Sequence, residues 1–230
     1  MAFIQNNWFL LIMQSVALGF AYVWLYLNKD KLKIKFWELV IFITVGFAGG
    51  FFFAKFFALL EVGFIWEKSV NYRIFGPILF DSVYIVVYGL IRKIPLGKFL
   101  DCVCVTVIVS MMLARVNCIF EGCCYGKRAF GSDYRWPIRE IEILYDIILL
   151  VFAIPYIYKN KSKGDVYPAY IGTYGVIRFI LEWFRDHYSS EEGAFHLAHI
   201  WSIAFIVIGS IWYFGLLIYR KRRAIVDEKE

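Results

Sequence analysis

Apolar stretches of one size recur along the chain, separated by short polar connections. They cover 8–27, 37–60, 74–91, 99–120, 140–158, 166–184 and 198–219. A bilayer core takes about 20 residues of α-helix to cross, so the pattern predicts seven transmembrane helices. The connections hold too few residues for a soluble domain, and no repeat, low-complexity tract or long Pro/Gly linker marks a boundary. The expected architecture is all-α: one polytopic membrane domain over residues 1–230.

Composition sharpens this. At 61% hydrophobic and 19% charged, the chain departs from the roughly 45–50% apolar and about 25% charged of soluble domains. A formal charge of +6 would suggest nucleic acid in a soluble protein, but its placement argues otherwise. The connections after the first, third, fifth and seventh runs hold 15 of the 25 basic residues: Lys29, Lys31, Lys33, Lys35; Arg92, Lys93, Lys98; Lys159, Lys161, Lys163; and Arg220, Lys221, Arg222, Arg223, Lys229. The other side has Lys68, Arg73, Lys127, Arg128, Arg135, Arg139 and Arg185. By the positive-inside bias the N-terminus faces outward and the C-terminus is cytoplasmic. The expected location is a bacterial cytoplasmic membrane, crossed many times, with no nucleic-acid partner. Met1 to Trp8 lacks a basic n-region, so the first run reads as a retained helix. Trp66, Trp136, Trp183 and Trp201 fit an interfacial belt.

Ionisable residues inside the runs carry the chemistry, because an Arg or Asp at a helix centre costs about 2.5–3.5 kcal/mol on insertion scales. Arg115 lies five residues from the outer end of the fourth run and Arg178 six from that of the sixth, a depth of roughly 7–9 Å at 1.5 Å per residue. Gln14, Lys55, Glu61, Asp81, Tyr145, Asp146, Glu182 and His199 also fall in the outer halves. Together they predict a polar chamber open to the outer side. Two guanidinium forks at headgroup level match a phosphate bidentately, which points to a phospholipid ligand. Glu182 follows Arg178 by four residues and precedes Arg185 by three, a spacing that lets it hold both.

Five cysteines at uneven spacing give no disulfide framework, and a bridge between the neighbours Cys123 and Cys124 would be strained. His196 and His199 would complete a four-ligand set with them, but adjacent cysteines chelate one ion poorly. No metal or other cofactor is expected. Gly122 and Gly126 end the fourth helix and bend the chain.

Residues 115 to 126, Arg-Val-Asn-Cys-Ile-Phe-Glu-Gly-Cys-Cys-Tyr-Gly, resemble the prolipoprotein diacylglyceryl transferase signature G-R-x-G-N-F-x-N-G-E-x-x-G, with Arg115, Gly122 and Gly126 matching. Arg139 and Leu144-Tyr145-Asp146 are similar to the family's R-H-P-S-Q-L-Y-E. The run from Tyr174-Gly175 through Arg178 and Glu182 to Arg185 is similar to Y-G-x-x-R-x-x-x-E-x-x-R. Gly49-Gly50 and Ile200-Trp201-Ser202 extend the likeness, in order, over most of the chain.

The resemblance implies an enzyme that moves the diacylglyceryl group of phosphatidylglycerol to the thiol of a lipobox cysteine in an acceptor polypeptide, releasing glycerol phosphate. Arg115, Arg178, Glu182 and Tyr145 are the expected catalytic residues; Lys55, Gly122, Gly126, Arg139, Asp146, Arg185 and His199 are expected to bind substrate. Departures accompany the matches. The family histidine of S-F-H-G-G falls at Phe75, the arginine of Gly-Gly-Arg at Phe51, the histidine of R-H-P-S-Q at Glu140, and the signature Asn and Glu at Cys118 and Cys123. Glu121, Asp146, Glu182 and His199 are the groups left to handle a proton. Two other readings stand beside the transferase: the same lipid donor with a different acceptor, and a phospholipid-binding protein without catalysis.

Overall fold

The computed structural model describes residues 8–61, 63–64, 75–128, 133–159, 163–186 and 197–227. Trp66, Lys68, Arg73, Lys161, His196 and Lys229 lie outside the described residues. Among the described residues seven helices follow one another: α1 Trp8–Leu32, α2 Phe36–Glu61, α3 Phe75–Ile91, α4 Leu96–Phe120, α5 Ile138–Tyr158, α6 Val166–Trp183 and α7 Leu197–Asp227. Each coincides with one predicted run. Five of them, α1, α2, α4, α5 and α7, are long and apolar enough to cross a membrane, whereas the apolar part of α3, Gly76–Ile91, is shorter. α6 falls outside that class because its inward face is polar, with Tyr170, Tyr174, Arg178 and Glu182 all buried.

The helices end where local chemistry stops them. Lys33 (φ 55°) and Lys93 (φ 53°) take the left-handed conformation after α1 and α3, and the next N–H returns to the helix, Ile34 to the Lys29 carbonyl at 3.1 Å and Ile94 to that of Gly89 at 3.0 Å. This is the Schellman closure that satisfies terminal carbonyls.

α4 is the central helix, packing on α1, α3, α5 and α6. Its first half is a solid apolar core, Phe99 to Val105 being buried without interruption. Within that core the fully buried Asp101 has a defined task. Its carboxylate accepts the backbone N–H groups of Gly164 (2.7 Å), Val166 (2.9 Å) and Tyr167 (3.1 Å). The Val166 and Tyr167 groups are donors that the first turn of α6 leaves unpaired, and Gly164 lies just before it, so α4 caps α6 from outside, with negative charge at the positive end of the helix dipole. α6 then lies close along α7: a Cβ on Gly209 would stand 2.4 Å from the Gly172 nitrogen, and one on Gly175 would stand 2.8 Å from the Ser202 carbonyl. Such small-residue contact lets two helix backbones approach where water supplies no hydrophobic drive. The outcome is a fixed height and rotation for α6, and hence for Arg178, one turn beyond Gly175.

Replacing Asp101 by Ala should orphan three backbone N–H groups at the start of α6, two of them buried. A loss of about 3 kcal/mol is expected, read as a lowered midpoint of unfolding in detergent relative to the unchanged chain.

Candidate active site

Three helices bring four charges to one point. Arg115 stands five residues before the end of α4, Arg178 five before the end of α6, and Glu142 four after the start of the oppositely directed α5. At 1.5 Å per residue all three lie about 6–8 Å from the same end of the bundle. Glu142 Oε2 is 2.7 Å from Arg115 Nε, and Glu142 Oε1 accepts from Arg178 Nη1 at 3.0 Å. On its other side Arg178 Nη2 is 2.8 Å from Glu182 Oε2, which Arg185 Nη1 approaches to 3.6 Å. The side chains of Arg115, Glu142, Arg178 and Glu182 are 3–7% exposed. The two arginines expected to share a depth therefore do meet, through one carboxylate.

Glu142 escaped the sequence reading. Its signal was present: it stands three residues before Tyr145 and four before Asp146, on the same helical face, and it is a charge among Ile141, Ile143 and Leu144.

The ion pairs do not exhaust the cluster's hydrogen-bonding groups. Among the described residues, Arg115 Nη2, Arg178 Nε, Asn117 Oδ1, Asp146 Oδ1, Tyr170 Oη and Tyr174 Oη are buried with no hydrogen-bond partner. Tyr174 is within electrostatic reach of both guanidinium groups, and Asp146 within reach of Arg115 and Glu142. Buried polar atoms are paired as a rule, and each exception costs about 1–3 kcal/mol. Four of these atoms, on Arg115, Arg178, Tyr174 and Asp146, belong to one charge cluster, and together they mark a place suited to a polar ligand.

Residues 121–128 and 133–137, between α4 and α5, lie at this end. Gly122, at φ 63°, closes α4 with the Schellman pair: its own N–H reaches the Ile119 carbonyl (3.3 Å) and that of Cys123 reaches the Cys118 carbonyl (3.1 Å). Gly126 is required by contact, since a Cβ there would lie 2.3 Å from the Trp136 carbonyl. Arg139 clamps the turn, its Nη1 donating to the Cys118 and Cys123 carbonyls, both at 3.2 Å, while its guanidinium lies over the Tyr125 ring at 4.4 Å. Backbone hydrogen bonds from Lys127 to the Phe184 carbonyl (2.7 Å) and from Asp186 to that of Tyr125 (2.9 Å) tie the turn to the end of α6. The described cysteines are all free thiols, and Cys118, Cys123 and Cys124 bring their Sγ atoms within 4.8 Å of one another. Hydrogen bonds from Cys118 and Cys123 pull the Cys124 thiol below its ordinary pKa; burial opposes them, and the Arg185 and Arg115 guanidinium groups add to the lowering.

Over residues 3–215 the sequence matches the family profile of prolipoprotein diacylglyceryl transferase. The chain belongs to the prolipoprotein diacylglyceryl transferase family. It is similar to the phosphatidylglycerol–prolipoprotein diacylglyceryl transferase of Clostridium tetani, 25% identical over 90% of this chain and 92% of the relative. The second such enzyme of Clostridium perfringens is 26% identical over 64% and 62% of the two chains, and that of Dehalococcoides mccartyi strain BAV1 is 24% identical over 76% of each.

Of the residues expected at the site of this diacylglyceryl transferase family member, the ion-pair cluster unites Arg115, Arg178, Glu182 and Arg185, and Asp146 adjoins it. Gly122, Gly126 and Arg139 shape the turn above. Tyr145 commits its hydroxyl to Thr173 Oγ1 at 2.6 Å, joining α5 to α6. His199 is fully buried between the rings of Phe179 and Trp183, with centroids at 5.3 and 4.8 Å. Lys55 is half-buried on α2, which packs chiefly on α3 and α1.

Changing Glu142 to Ala should leave two buried guanidinium groups facing each other without their shared anion. A cost of about 3–5 kcal/mol is expected for breaking a buried pair from one side, together with loss of phospholipid binding; thermal unfolding and a lipid-retention assay on the same sample would register both.

Proposed function

We propose that this chain transfers the diacylglyceryl group of phosphatidylglycerol to the thiol of a prolipoprotein cysteine, releasing glycerol phosphate. The reading also takes α1–α7 as seven spans of a bacterial cytoplasmic membrane, with the C-terminus cytoplasmic and the Glu142 cluster near the outer leaflet. One observation carries it: the orphaned polar atoms sort by chemistry. Arg115 Nη2 and Arg178 Nε are charged donors, while Asp146 Oδ1 is an acceptor and the Tyr174 hydroxyl serves as either. A phosphodiester esterified to glycerol needs that combination, donors for its oxygens and acceptors for its hydroxyls.

The reaction breaks the bond between the glyceryl carbon and phosphate oxygen, so negative charge gathers on the departing phosphate. Guanidinium groups already fixed by Glu142 and Glu182 meet that charge without reorganising, which is the source of most electrostatic catalysis. In this scheme Arg115 and Arg178 hold the phosphate. Glu142, Glu182 and Arg185 position them, Asp146 faces the glycerol hydroxyls, and Arg139, Gly122 and Gly126 set the turn through which the acceptor enters. Tyr145, Lys55 and His199 support the walls. Of the four residues left to handle a proton, Glu121 is exposed at the end of α4 and Glu182 is engaged by two arginines. Asp146 is the acid beside the cluster with an orphaned oxygen.

Purified protein in phosphatidylglycerol vesicles, supplied with a lipobox peptide, should release glycerol phosphate and lipidate the peptide thiol. Arg115→Ala and Arg178→Ala should each lower release by at least about a hundredfold, the loss of about 2.7 kcal/mol that a single oxyanion donor is worth. Lysine at either position should fail to rescue, because a point charge cannot reproduce the fork. Release with another acceptor alone would support the second reading, in which the Phe75 departure signals a different nucleophile. Binding without release would leave a lipid-binding protein.

A further inference from the structure

The thiols of Cys118, Cys123 and Cys124 remain unused by the scheme above, although they sit one turn beyond Arg115 on the side from which an acceptor must come. We propose that they form a zinc site whose fourth position takes the acceptor thiol and delivers it as a thiolate; this rests on the transferase reading.

Sequence alone weighs against such a site, because adjacent cysteines chelate one ion poorly. The fold removes that objection in two ways. The Schellman closure at Gly122 places Cys123 directly against Cys118, the pair of positions that this motif brings into side-chain contact. Cys124 then adopts φ 58°, a conformation rare for a residue with a Cβ, which swings its side chain back toward its neighbour. All three Sγ atoms end within 4.8 Å of one another. Zinc–sulfur bonds of about 2.3 Å set tetrahedral sulfurs about 3.8 Å apart, so rotation of the thiols by an ångström or less completes three corners. Three protein ligands with one open position is the arrangement of a catalytic rather than a structural zinc.

The surroundings fit the charge. Three thiolates on Zn2+ carry one net negative charge, and Arg185 and Arg115 lie within electrostatic reach of the cluster. Arg139 holds the Cys118 and Cys123 carbonyls, which fixes the ligand backbone as outer-shell partners of metal sites do. The cysteines are half-buried and the neighbouring Glu121 and Tyr125 exposed, so a polypeptide thiol has access.

The ion answers a need of the reaction. At the open position the acceptor's S–H proton passes to water and the sulfur stays bound as thiolate, since a coordinating thiol is deprotonated outright. Its electron pair forms the carbon–sulfur bond to the glyceryl carbon, the carbon–oxygen bond breaks toward phosphate, and glycerol phosphate leaves from Arg115 and Arg178. No oxidant or reductant takes part. A basic side chain at the Phe75 position is then unnecessary.

The test uses the full-length protein in detergent, treated with a strong chelator, reloaded with Zn2+ or Co2+ and desalted. Metal analysis should find one zinc per chain, and the cobalt form should show the thiolate charge-transfer and tetrahedral bands of a Co–S3 site. Both should vanish in the Cys118→Ser/Cys123→Ser/Cys124→Ser variant while phosphatidylglycerol binding persists. Glycerol phosphate release with a lipobox peptide should stop on chelation and return with zinc, an arm that requires no variant to fold. Absence of stoichiometric zinc, or full release from metal-free protein, would overturn the zinc site and leave the transferase reading standing. Zinc bound with its cobalt signature but no release would instead overturn the transferase reading and the catalytic role given to the ion.

Discussion

A single carboxylate, that of Glu142, decides how this end of the molecule is built. Arg115 and Arg178 enter from α4 and α6, and without an anion between them their charges would repel across a poorly screened interior. Glu142 gives one oxygen to each, at 2.7 and 3.0 Å, and thereby couples three helices. Burying these ions carries a desolvation cost of several kcal/mol apiece, so the network is poor evidence of a device for stability. Its value lies in fixing two guanidinium forks in position while leaving one nitrogen of each, Arg115 Nη2 and Arg178 Nε, without a partner among the described residues.

That position is inherited from contacts far from the charges. Asp101, near the opposite end of α4, holds the start of α6 through three backbone donors, two of them in its first turn. The glycine contacts with α7 then hold α6 close along its length. From Tyr167 to Arg178 a helix rises about 16 Å, and an α-helix transmits a set height and rotation over that distance with little loss. The site is thus held at both ends: from below by a cap and a glycine seam, from above by the turn that Arg139 and the Lys127 and Asp186 hydrogen bonds tie to α6.

The helices and the matched depth of the arginines were legible because each rests on a one-dimensional quantity, run length or distance from a run's end. What escaped depends on rotation about a helix or on backbone dihedrals. Glu142 lies near the polar start of α5, where an acid is ordinary, and only its shared face with Tyr145 and Asp146 sets it apart. Tyr145 shares that face, yet its hydroxyl pairs with Thr173 on α6. His199 faces Phe179 and Trp183 on α6, a pairing set by the α6–α7 approach. α6 is shorter in hydropathy than its run suggested for the reason that makes it useful: its inward face is the polar wall of the site.

The cysteine cluster follows the same logic. Read as spacing, Cys118 belongs to a helix and Cys123-Cys124 to a loop. Read as structure, a glycine four residues after Cys118 is a helix terminator, and a terminator of that type joins the positions on either side of it. Where the family signature has Asn and Glu, this chain has thiols at the joined positions, while the histidine position of the third helix holds Phe75. In the proposed scheme the arginine pair meets the departing phosphate, and its positive field favours a nearby thiolate without accepting the proton. On the proposed reading the acceptor thiol has still to be ionised, and the soft, anion-forming side chains clustered at that mouth among the described residues are the three sulfurs, with Cys118 one turn above Arg115.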